Sequence, residues 1–323
     1  MWIQVAAIIG GFGLLVWGAD RFVIGAAASA RNLGVSPLLI GLTVVGFGTS
    51  APEMLVSGMA AWNGNPGLGI GNAVGSNIAN IGLILGVTAL IVPLQVHSVT
   101  LRRELPVLLI TALVALALLL DDSLDRIDGL VLMAGLVAML GWVVHLGLSA
   151  RRGVDPMAAE FAAEIPADLS TGRALFWLLA GILVLLFASR LLVWGAVGVA
   201  TWLGVSDLVI GLTIVALGTS LPELAASIAS ARKGEHDIAI GNVIGSNMFN
   251  LLAVLGLPAL IQPGAVDRAV LTRDFPVMIG LTLGLMLMAR GFHRAGHISR
   301  LEGLVLVAVY CAYQTLLYFA VRN

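Results

Sequence analysis

The stretch Gly41-Leu-Thr-Val-Val-Gly-Phe-Gly-Thr-Ser-Ala-Pro-Glu53 decides the fold because it returns as Gly211-Leu-Thr-Ile-Val-Ala-Leu-Gly-Thr-Ser-Leu-Pro-Glu223. Nine of the 13 positions are identical, and the two copies lie 170 residues apart. A second pair has the same offset: Gly71-Asn-Ala-Val-Gly-Ser-Asn-Ile-Ala-Asn80 corresponds to Gly241-Asn-Val-Ile-Gly-Ser-Asn-Met-Phe-Asn250. The chain is therefore an internal duplication in which both copies place the same polar residues at the same positions.

The composition around these polar stretches is that of a protein embedded in a lipid bilayer. Of the 323 residues, 59% are hydrophobic and 11% are charged, and the mean hydropathy is +1.03; soluble domains have about 25% charged residues. The formal net charge of −1 provides no basic face for nucleic acid. The single cysteine, Cys311, excludes an internal disulfide. No lysine or arginine precedes the first apolar run, so we expect a retained span rather than a cleaved signal peptide.

The apolar runs predict an all-α polytopic membrane protein with ten transmembrane helices. A spanning helix needs about 20 mostly apolar residues. By that rule the spans are 3–30, 36–62, 67–92, 104–120, 126–149, 173–201, 206–232, 237–262, 274–290 and 299–320.

The longest polar stretch divides these spans into two groups of five. We expect residues 1–150 to form one five-helix repeat, residues 151–172 a linker, and residues 173–323 a second repeat. Because five is odd, the second repeat must begin on the opposite side of the membrane. The sequence therefore predicts two inverted repeats, an arrangement common in secondary transporters.

The distribution of lysine and arginine predicts the orientation. One side carries 11 of these residues and the other carries four, and basic loops stay in the cytoplasm. Both termini are then outside, and the linker 151–172 is cytoplasmic. We expect the protein in a prokaryotic inner, or plasma, membrane.

Two acidic residues in this apolar setting, Glu53 and Glu223, are the leading functional candidates. A carboxylate at the centre of a spanning helix costs about 3 kcal/mol on insertion scales, and such residues are functional by default. Each follows a Gly-Thr-Ser sequence and a proline, which removes a backbone donor. We expect each helix to break there and to expose carbonyl oxygens, which are cation ligands where they line a cavity.

The proposed ligand set contains oxygen atoms only, from carbonyl, hydroxyl, amide and carboxylate groups. Such a set suits hard cations such as Ca²⁺ and Na⁺ rather than zinc or copper. Ser76 and Asn80 are four residues apart, as are Ser246 and Asn250, so each pair shares a helix face. Taken singly, each of these serines and asparagines is better explained as a packing residue that hydrogen-bonds between helices, and the two glutamates with the duplicated context are what point to a site. The candidate site residues are Glu53, Glu223, Gly46, Thr49, Ser50, Ala216, Thr219, Ser220, Ser76, Ser246, Asn80 and Asn250.

At these residues the sequence resembles the cation/calcium exchanger superfamily, in its sodium/calcium exchanger branch. Gly48-Thr-Ser-Ala-Pro-Glu53 and Gly218-Thr-Ser-Leu-Pro-Glu223 resemble the two repeat signatures of that family. The resemblance implies ten helices and alternating access, in which helices 1 and 6 slide against the other eight. It also implies that both glutamates bind Ca²⁺ and Na⁺ competitively.

The resemblance assigns roles to the other candidates as well. Thr49 and Thr219 would contribute carbonyl oxygens, the four serines would flank the sodium sites, and Asn80 and Asn250 would lie beside the centre. Potassium-dependent members typically carry aspartate at the position of Asn250, so the asparagine here argues against potassium co-transport.

The leading hypothesis is therefore a Na⁺/Ca²⁺ antiporter and not an enzyme, with the ions as substrates and no cofactor. The alternative is an exchanger of Ca²⁺ or another cation for protons on the same fold. Proton-coupled members usually have a glutamate after the Gly-Asn pair, where this chain has Gly-Ser-Asn. The sequence suggests no obligate protein partner beyond the surrounding bilayer.

Overall fold

A computed structural model describes residues 2–35, 40, 46–96, 99–149, 169–290 and 296–322, and most of these residues are helical. The helical segments before residue 150 are α1 (Trp2–Asn32), α2 (Gly46–Trp62), α3 (Pro66–Ala79), the π-helical segment π1 (Asn80–Leu85), α4 (Gly86–Ile91), α5 (Val99–Leu118) and α6 (Arg126–Ser149). Those after residue 168 are α7 (Thr171–Leu203), α8 (Asp207–Ile210), π2 (Gly211–Val215), α9 (Ala216–Thr219), α10 (Leu221–Lys233), α11 (His236–Phe249), π3 (Asn250–Val254), α12 (Gly256–Ile261), π4 (Val270–Asp274), α13 (Phe275–Arg290) and α14 (Arg300–Arg322). Residues 151–168 of the predicted linker and most of 36–45 in the second predicted span lie outside the described residues.

Seven helices in the described part of the chain are long and apolar enough to cross a bilayer. An eighth results if α8 to α10 form one span, which bends by 40° between Thr219 and Leu221. Two predicted spans fall short of these criteria for physical reasons. Helix α2 has 17 described residues, and the first turns of α5 carry Arg102, Arg103 and Glu104.

Helices α1 and α7 pack against each other along their lengths in antiparallel directions. A Cβ atom added to Gly11 would lie 3.2 Å from Leu192, and one added to Gly18 would lie 3.3 Å from Leu185. Further along α1, Gly25 packs against the backbone of Leu178. Contact positions thus advance along α1 as they retreat along α7. Glycines permit this close approach because they have no side chain, as in other membrane helix pairs.

Two composite helices form the centre of the molecule. In the spanning segments Pro66–Ile91 and His236–Ile261, 78% of the most apolar window is buried, against 33% in α1 and α7. Both are α-helices interrupted by a π-helical segment, which begins at Asn80 in one and at Asn250 in the other. The central position explains why these segments can carry polar side chains that lipid would not tolerate.

The two central helices also contact the opposite copy of the duplicated sequence. A Cβ atom added to Gly71 would lie 3.0 Å from the Gly211 Cα, and one added to Gly211 would lie 3.0 Å from the Gly71 Cα. The start of the second motif therefore packs directly on the start of the first motif of the other half.

Two short antiparallel strand pairs join loops from different halves. Strand β1 (Leu94–Val96) pairs with β4 (Gly296–Ile298), and β2 (Ser123–Leu124) pairs with β3 (Gly264–Ala265). These pairs satisfy backbone groups where the chain leaves the helices. The first pair ties the α4–α5 connection to the segment before α14, and the second ties the α5–α6 connection to the segment between α12 and π4.

Candidate ion-binding site

The two glutamates singled out in the sequence are both fully buried. Glu53 lies in α2 and Glu223 in the first turn of α10, and the exposed fraction of each is 0%. A hydrogen bond links their surroundings, because Ser220, three residues before Glu223, contacts Glu53. Neither glutamate forms an ion pair with a described residue. Two carboxylates held together without a basic partner form a site that a cation can neutralise.

Serine hydroxyls connect each carboxylate to the rest of the site. The Ser220 hydroxyl donates to Glu53 Oε1 at 3.5 Å, and the Ser246 hydroxyl donates to Glu223 Oε1 at 3.3 Å. The Ser50 hydroxyl in turn donates to Ser246 Oγ at 3.2 Å. Because Ser220 precedes Glu223 by three residues in the chain, it links one half of the duplication to the carboxylate of the other.

Of the asparagines at the start of π1 and π3, Asn80 is bonded to this cluster. Asn80 donates to Ser246 Oγ at 3.2 Å and to Asn247 Oδ1 at 2.9 Å. Asn250 is fully buried, and neither of its side-chain polar atoms has a hydrogen-bond partner among the described residues. A π-helical turn inside an α-helix frequently marks a functional site, and two of the four π-helical segments in the described residues, π1 and π3, begin at a predicted site residue.

Four buried oxygen atoms of the predicted site residues have no donor in the described part of the chain. They are Glu53 Oε2, Glu223 Oε2, Asn80 Oδ1 and Asn250 Oδ1. Buried acceptors are normally hydrogen-bonded, because leaving one unpaired costs about 1–3 kcal/mol. A set of unpaired oxygens around two carboxylates has the ligand chemistry of a hard cation such as Ca²⁺ or Na⁺.

The two copies of the signature differ in backbone conformation. In the second copy the helix is interrupted at Ser220, which has φ −84° and ψ 5°, just before Leu221 and Pro222. In the first copy α2 runs without a break from Gly46 to Trp62 and contains Pro52. The predicted break is therefore wrong for the first copy, because a proline there removes one hydrogen bond without ending the helix.

The remaining predicted residues are Ala216, Gly46 and Ser76. The Ala216 carbonyl was expected to be free to bind a cation, but it is hydrogen-bonded within the chain. The Ala216 carbonyl accepts hydrogen bonds from the Ser220 amide at 3.2 Å and from the Thr219 hydroxyl at 3.5 Å. Gly46 is the first residue of α2. The Ser76 hydroxyl is buried and donates to Asn72 Oδ1 at 3.5 Å. Hydrogen bonds thus connect predicted residues of both halves, while for Gly46 and the Asn250 side chain the described residues show no hydrogen bond to the glutamates.

Sequence reasoning missed the residues that hold the two threonines. The Thr49 hydroxyl donates to Asn242 Oδ1 at 3.2 Å, and the Thr219 hydroxyl donates to Asn72 Oδ1 at 3.0 Å. Each bond joins one half of the duplication to the other. A signal was present in the sequence, because Asn72 lies four residues before Ser76 and therefore on the same helix face.

A second reciprocal pair locates a local two-fold relation. Asn77 Nδ2 donates to the Asn247 carbonyl at 3.3 Å, and Asn247 Nδ2 donates to the Asn77 carbonyl at 3.4 Å. These residues are equivalent by the offset of 170. Equivalent residues of the two halves therefore form the same contact in both directions.

The ligand types also limit the metals that suit the site. Among the described residues, no group of three or more histidine, cysteine, aspartate or glutamate side chains could hold a metal ion. The cluster combines two carboxylates with hydroxyl and amide groups instead. That chemistry fits weakly held, exchangeable alkali and alkaline-earth cations better than tightly bound transition metals.

A model of the sodium/calcium exchanger protein family matches residues 3–145 and 173–319, which is most of the chain. The chain belongs to the sodium/calcium exchanger family. As a member of this family it is an integral membrane protein, and its family relatives are ion transporters rather than enzymes. The gap in the match, residues 146–172, coincides closely with the predicted linker.

Individual relatives align over nearly the full length of this family member. It is 48% identical over 318 residues to the CaxA protein of Alkalimonas amylolytica, covering 98% of this chain and 99% of that one. It is 42% identical over 320 residues to inner membrane protein YrbG of Escherichia coli strain K12, covering 99% and 98%. A solved structure of the sodium-calcium exchanger NCX_Mj, soaked with Na⁺ and Sr²⁺, matches with a TM-score of 0.68 and 34% identity, covering 96% and 97%.

Proposed function

We propose that this protein is a secondary antiporter that exchanges Na⁺ for Ca²⁺ at a site formed by Glu53 and Glu223. The observation that carries the proposal is the pair of fully buried carboxylates, each with one oxygen that has no partner among the described residues. Membership of the exchanger family and the similarity to NCX_Mj support Ca²⁺ and Na⁺ as the ions. The surrounding hydroxyl and amide oxygens complete the proposed coordination.

The proposed transport cycle rests on ten spans in two inverted five-helix repeats. The antiparallel packing of α1 on α7 supports it, because these helices are equivalent by the offset of 170 and yet run in opposite directions. An inverted repeat lets one sequence form a pathway to either side of the membrane. Alternating access then exposes the same carboxylates first to one side and then to the other.

The proposed location is a prokaryotic inner membrane with both termini outside and the linker 151–172 in the cytoplasm. The excess of basic residues on the predicted cytoplasmic side, 11 against four, supports this orientation. The relative YrbG is named an inner membrane protein. A reporter fused after Asn323 that is active only outside the cytoplasm is the expected result, and a reporter active only in the cytoplasm would reverse the orientation.

The deciding experiment is an ion-swap flux assay in proteoliposomes. Radioactive Ca²⁺ uptake should depend on an outward Na⁺ gradient and should be insensitive to a pH gradient imposed without Na⁺. Uptake that follows the pH gradient and ignores Na⁺ would instead assign a proton-coupled exchanger.

The site itself is tested by Glu53→Gln and Glu223→Gln, which keep the side-chain shape and remove one charge each. Both variants should lose Ca²⁺ uptake while remaining folded, since each removes half of the charge that balances the ion. Glu302→Gln is the matched control, because it is the same substitution at a glutamate outside the site. Glu302 caps the start of α14 by accepting from the Ser299 amide at 2.7 Å. Wild-type uptake by both site variants would show that the ions bind elsewhere.

A further inference from the structure

Asn72 and Asn242 are equivalent by the offset of 170, yet their side chains form different numbers of hydrogen bonds. Asn72 is fully buried, and its amide nitrogen donates to the Glu53 carbonyl at 3.3 Å and to Ser57 Oγ at 3.1 Å. Its oxygen accepts from Thr219 at 3.0 Å and from Ser76 at 3.5 Å. All of the polar capacity of this side chain is therefore used.

Asn242 forms only one of the equivalent hydrogen bonds with a described residue. Its oxygen accepts from the Thr49 hydroxyl at 3.2 Å. Its amide nitrogen is buried and has no hydrogen-bond partner among the described residues. A buried amide donor without an acceptor is unfavourable, so this half of the site is held less firmly than the other.

The acceptors that Asn242 lacks are present in the second half. Glu223 corresponds to Glu53, and Ser227 corresponds to Ser57. Ser227 also repeats the local bond of its counterpart: Ser57 donates to the Gly69 carbonyl and Ser227 to the Ala239 carbonyl, both at 3.3 Å. The two halves therefore contain equivalent hydrogen-bond donors and acceptors. Among the described residues, the bonds from the asparagine amide to the glutamate carbonyl and the serine hydroxyl form only in the first half.

We infer that Asn72 and Asn242 are positioning residues that take turns in holding their own glutamate during the transport cycle. In the conformation described here, Asn72 holds the Glu53 carbonyl and the Thr219 hydroxyl of the opposite half. In the opposite-facing conformation, Asn242 donates to the Glu223 carbonyl and Ser227, and the matching bonds of Asn72 open. This inference rests on the proposed antiport cycle and assigns the pair that sets the balance between its two states.

The equal chemistry of the two halves is the reason for expecting an exchange rather than a fixed difference. In a pair of inverted repeats, each half adopts in one state the local geometry that its counterpart adopts in the other. The backbone of the signature also differs between the halves, because the helix is interrupted at Ser220 but runs continuously through Pro52. The asparagine bonds and the helix geometry thus differ together between the halves.

The test compares Asn72→Ala with Asn242→Ala in oriented proteoliposomes. Each variant removes the side-chain bonds that favour one state, so the ratio of apparent Ca²⁺ KM values at the two membrane faces should shift about fivefold to tenfold. The shifts should have opposite signs in the two variants. Equal shifts of the same sign, or a uniform loss of maximal rate without a change in the ratio, would reduce both asparagines to structural residues.

A second pair of variants keeps the test decisive if the alanine variants do not fold. Ser57→Ala removes one acceptor of Asn72, and Ser227→Ala removes the equivalent acceptor in the second half. Each should shift the KM ratio in the direction of the asparagine variant of its own half, while Ser57→Thr retains the hydroxyl and should keep the wild-type ratio. A wild-type ratio in both alanine variants would overturn the inference.

Hydrogen–deuterium exchange on ion-free protein separates this inference from the proposed function. Amides of residues 223–227 should exchange faster than those of 53–57 in the wild type. Asn72→Ala should remove most of that difference, and Asn242→Ala should leave it. If the wild type shows no Na⁺-dependent Ca²⁺ uptake, the proposed function fails, and this measurement alone decides the role of the asparagines. Equal exchange of the two segments in the wild type would refute the role.

Discussion

Gly75 and Gly245 occupy equivalent positions in the duplicated Gly-Ser-Asn sequence, but the structure predicts opposite effects of alanine at the two sites. A Cβ atom added to Gly75 would lie 2.8 Å from the Cα and the carbonyl oxygen of Leu212, and 2.8 Å from the Ala216 Cβ. A Cβ atom added to Gly245 would meet no described atom within 4 Å.

The expected size of the difference follows from these contacts. The atoms that Gly75→Ala would strike belong mainly to backbone, which cannot rotate away, so the helices must separate. Overpacking of this kind costs about 1–3 kcal/mol. Replacing glycine by alanine within a helix gains about 0.5–1 kcal/mol. Gly75→Ala should therefore lower the free energy of unfolding, and Gly245→Ala should raise it by about 0.5–1 kcal/mol.

The assay is thermal unfolding of both variants and the wild type, purified in the same detergent. The midpoint of Gly75→Ala should fall and that of Gly245→Ala should stay level or rise. Equal shifts in both variants would refute the reasoning, because a shared sequence motif would then have the same packing in both halves.

Three further predictions concern charge, a buried bond and helix packing. Asn250→Asp adds a third carboxylate beside the glutamates and should alter the Na⁺ and K⁺ dependence of Ca²⁺ uptake; unchanged dependence would place Asn250 away from the ions. Tyr313→Phe removes the hydroxyl that donates to the buried Asp274 at 2.9 Å. A hydrogen bond to a charged group is worth about 1.5–3 kcal/mol, so the unfolding midpoint of the variant should fall while transport is retained. An unchanged midpoint would contradict this. Gly181→Ala places a Cβ atom 2.5 Å from the Phe22 backbone nitrogen and should reduce transport in folded protein by separating α7 from α1; full uptake would argue against tight packing of this pair.

Much of the helical arrangement could be read from the sequence because apolar length is a strong signal in membrane proteins. The predicted span 126–149 has the same limits as α6, and the predicted span 237–262 differs by one residue at each end from the helix His236–Ile261. The π-helical segments were not predicted, since their sequences contain the same residue types as the α-helices around them. Their start at the two candidate asparagines is visible only in the backbone.

The candidate site was predicted in composition but not in its asymmetry. Glu53, Glu223 and the serines beside them were identifiable because polar residues at membrane depth require a reason. The unequal roles of Asn72 and Asn242 could not be predicted, because near-identical sequences give the same expectation for both halves. In the proposed cycle that difference belongs to one conformation of the protein rather than to its sequence.

The charge of the site explains why transport would be coupled to ion binding. Glu53 and Glu223 form no ion pair with a described residue, so a site without cations in which both carboxylates are ionised has two buried negative charges and no basic partner. Such a site is stabilised by water while it is open to one side, and enclosing it would leave the charges without compensation. One Ca²⁺ or two or more Na⁺ would supply that compensation from either side. A ligand shifts a conformational equilibrium only by the difference in its affinity for the two states, and neutralisation makes that difference large for the enclosed state. In the proposed cycle the ion-loaded protein would therefore change its facing direction while the empty protein is held back, which is the requirement for exchange rather than leak.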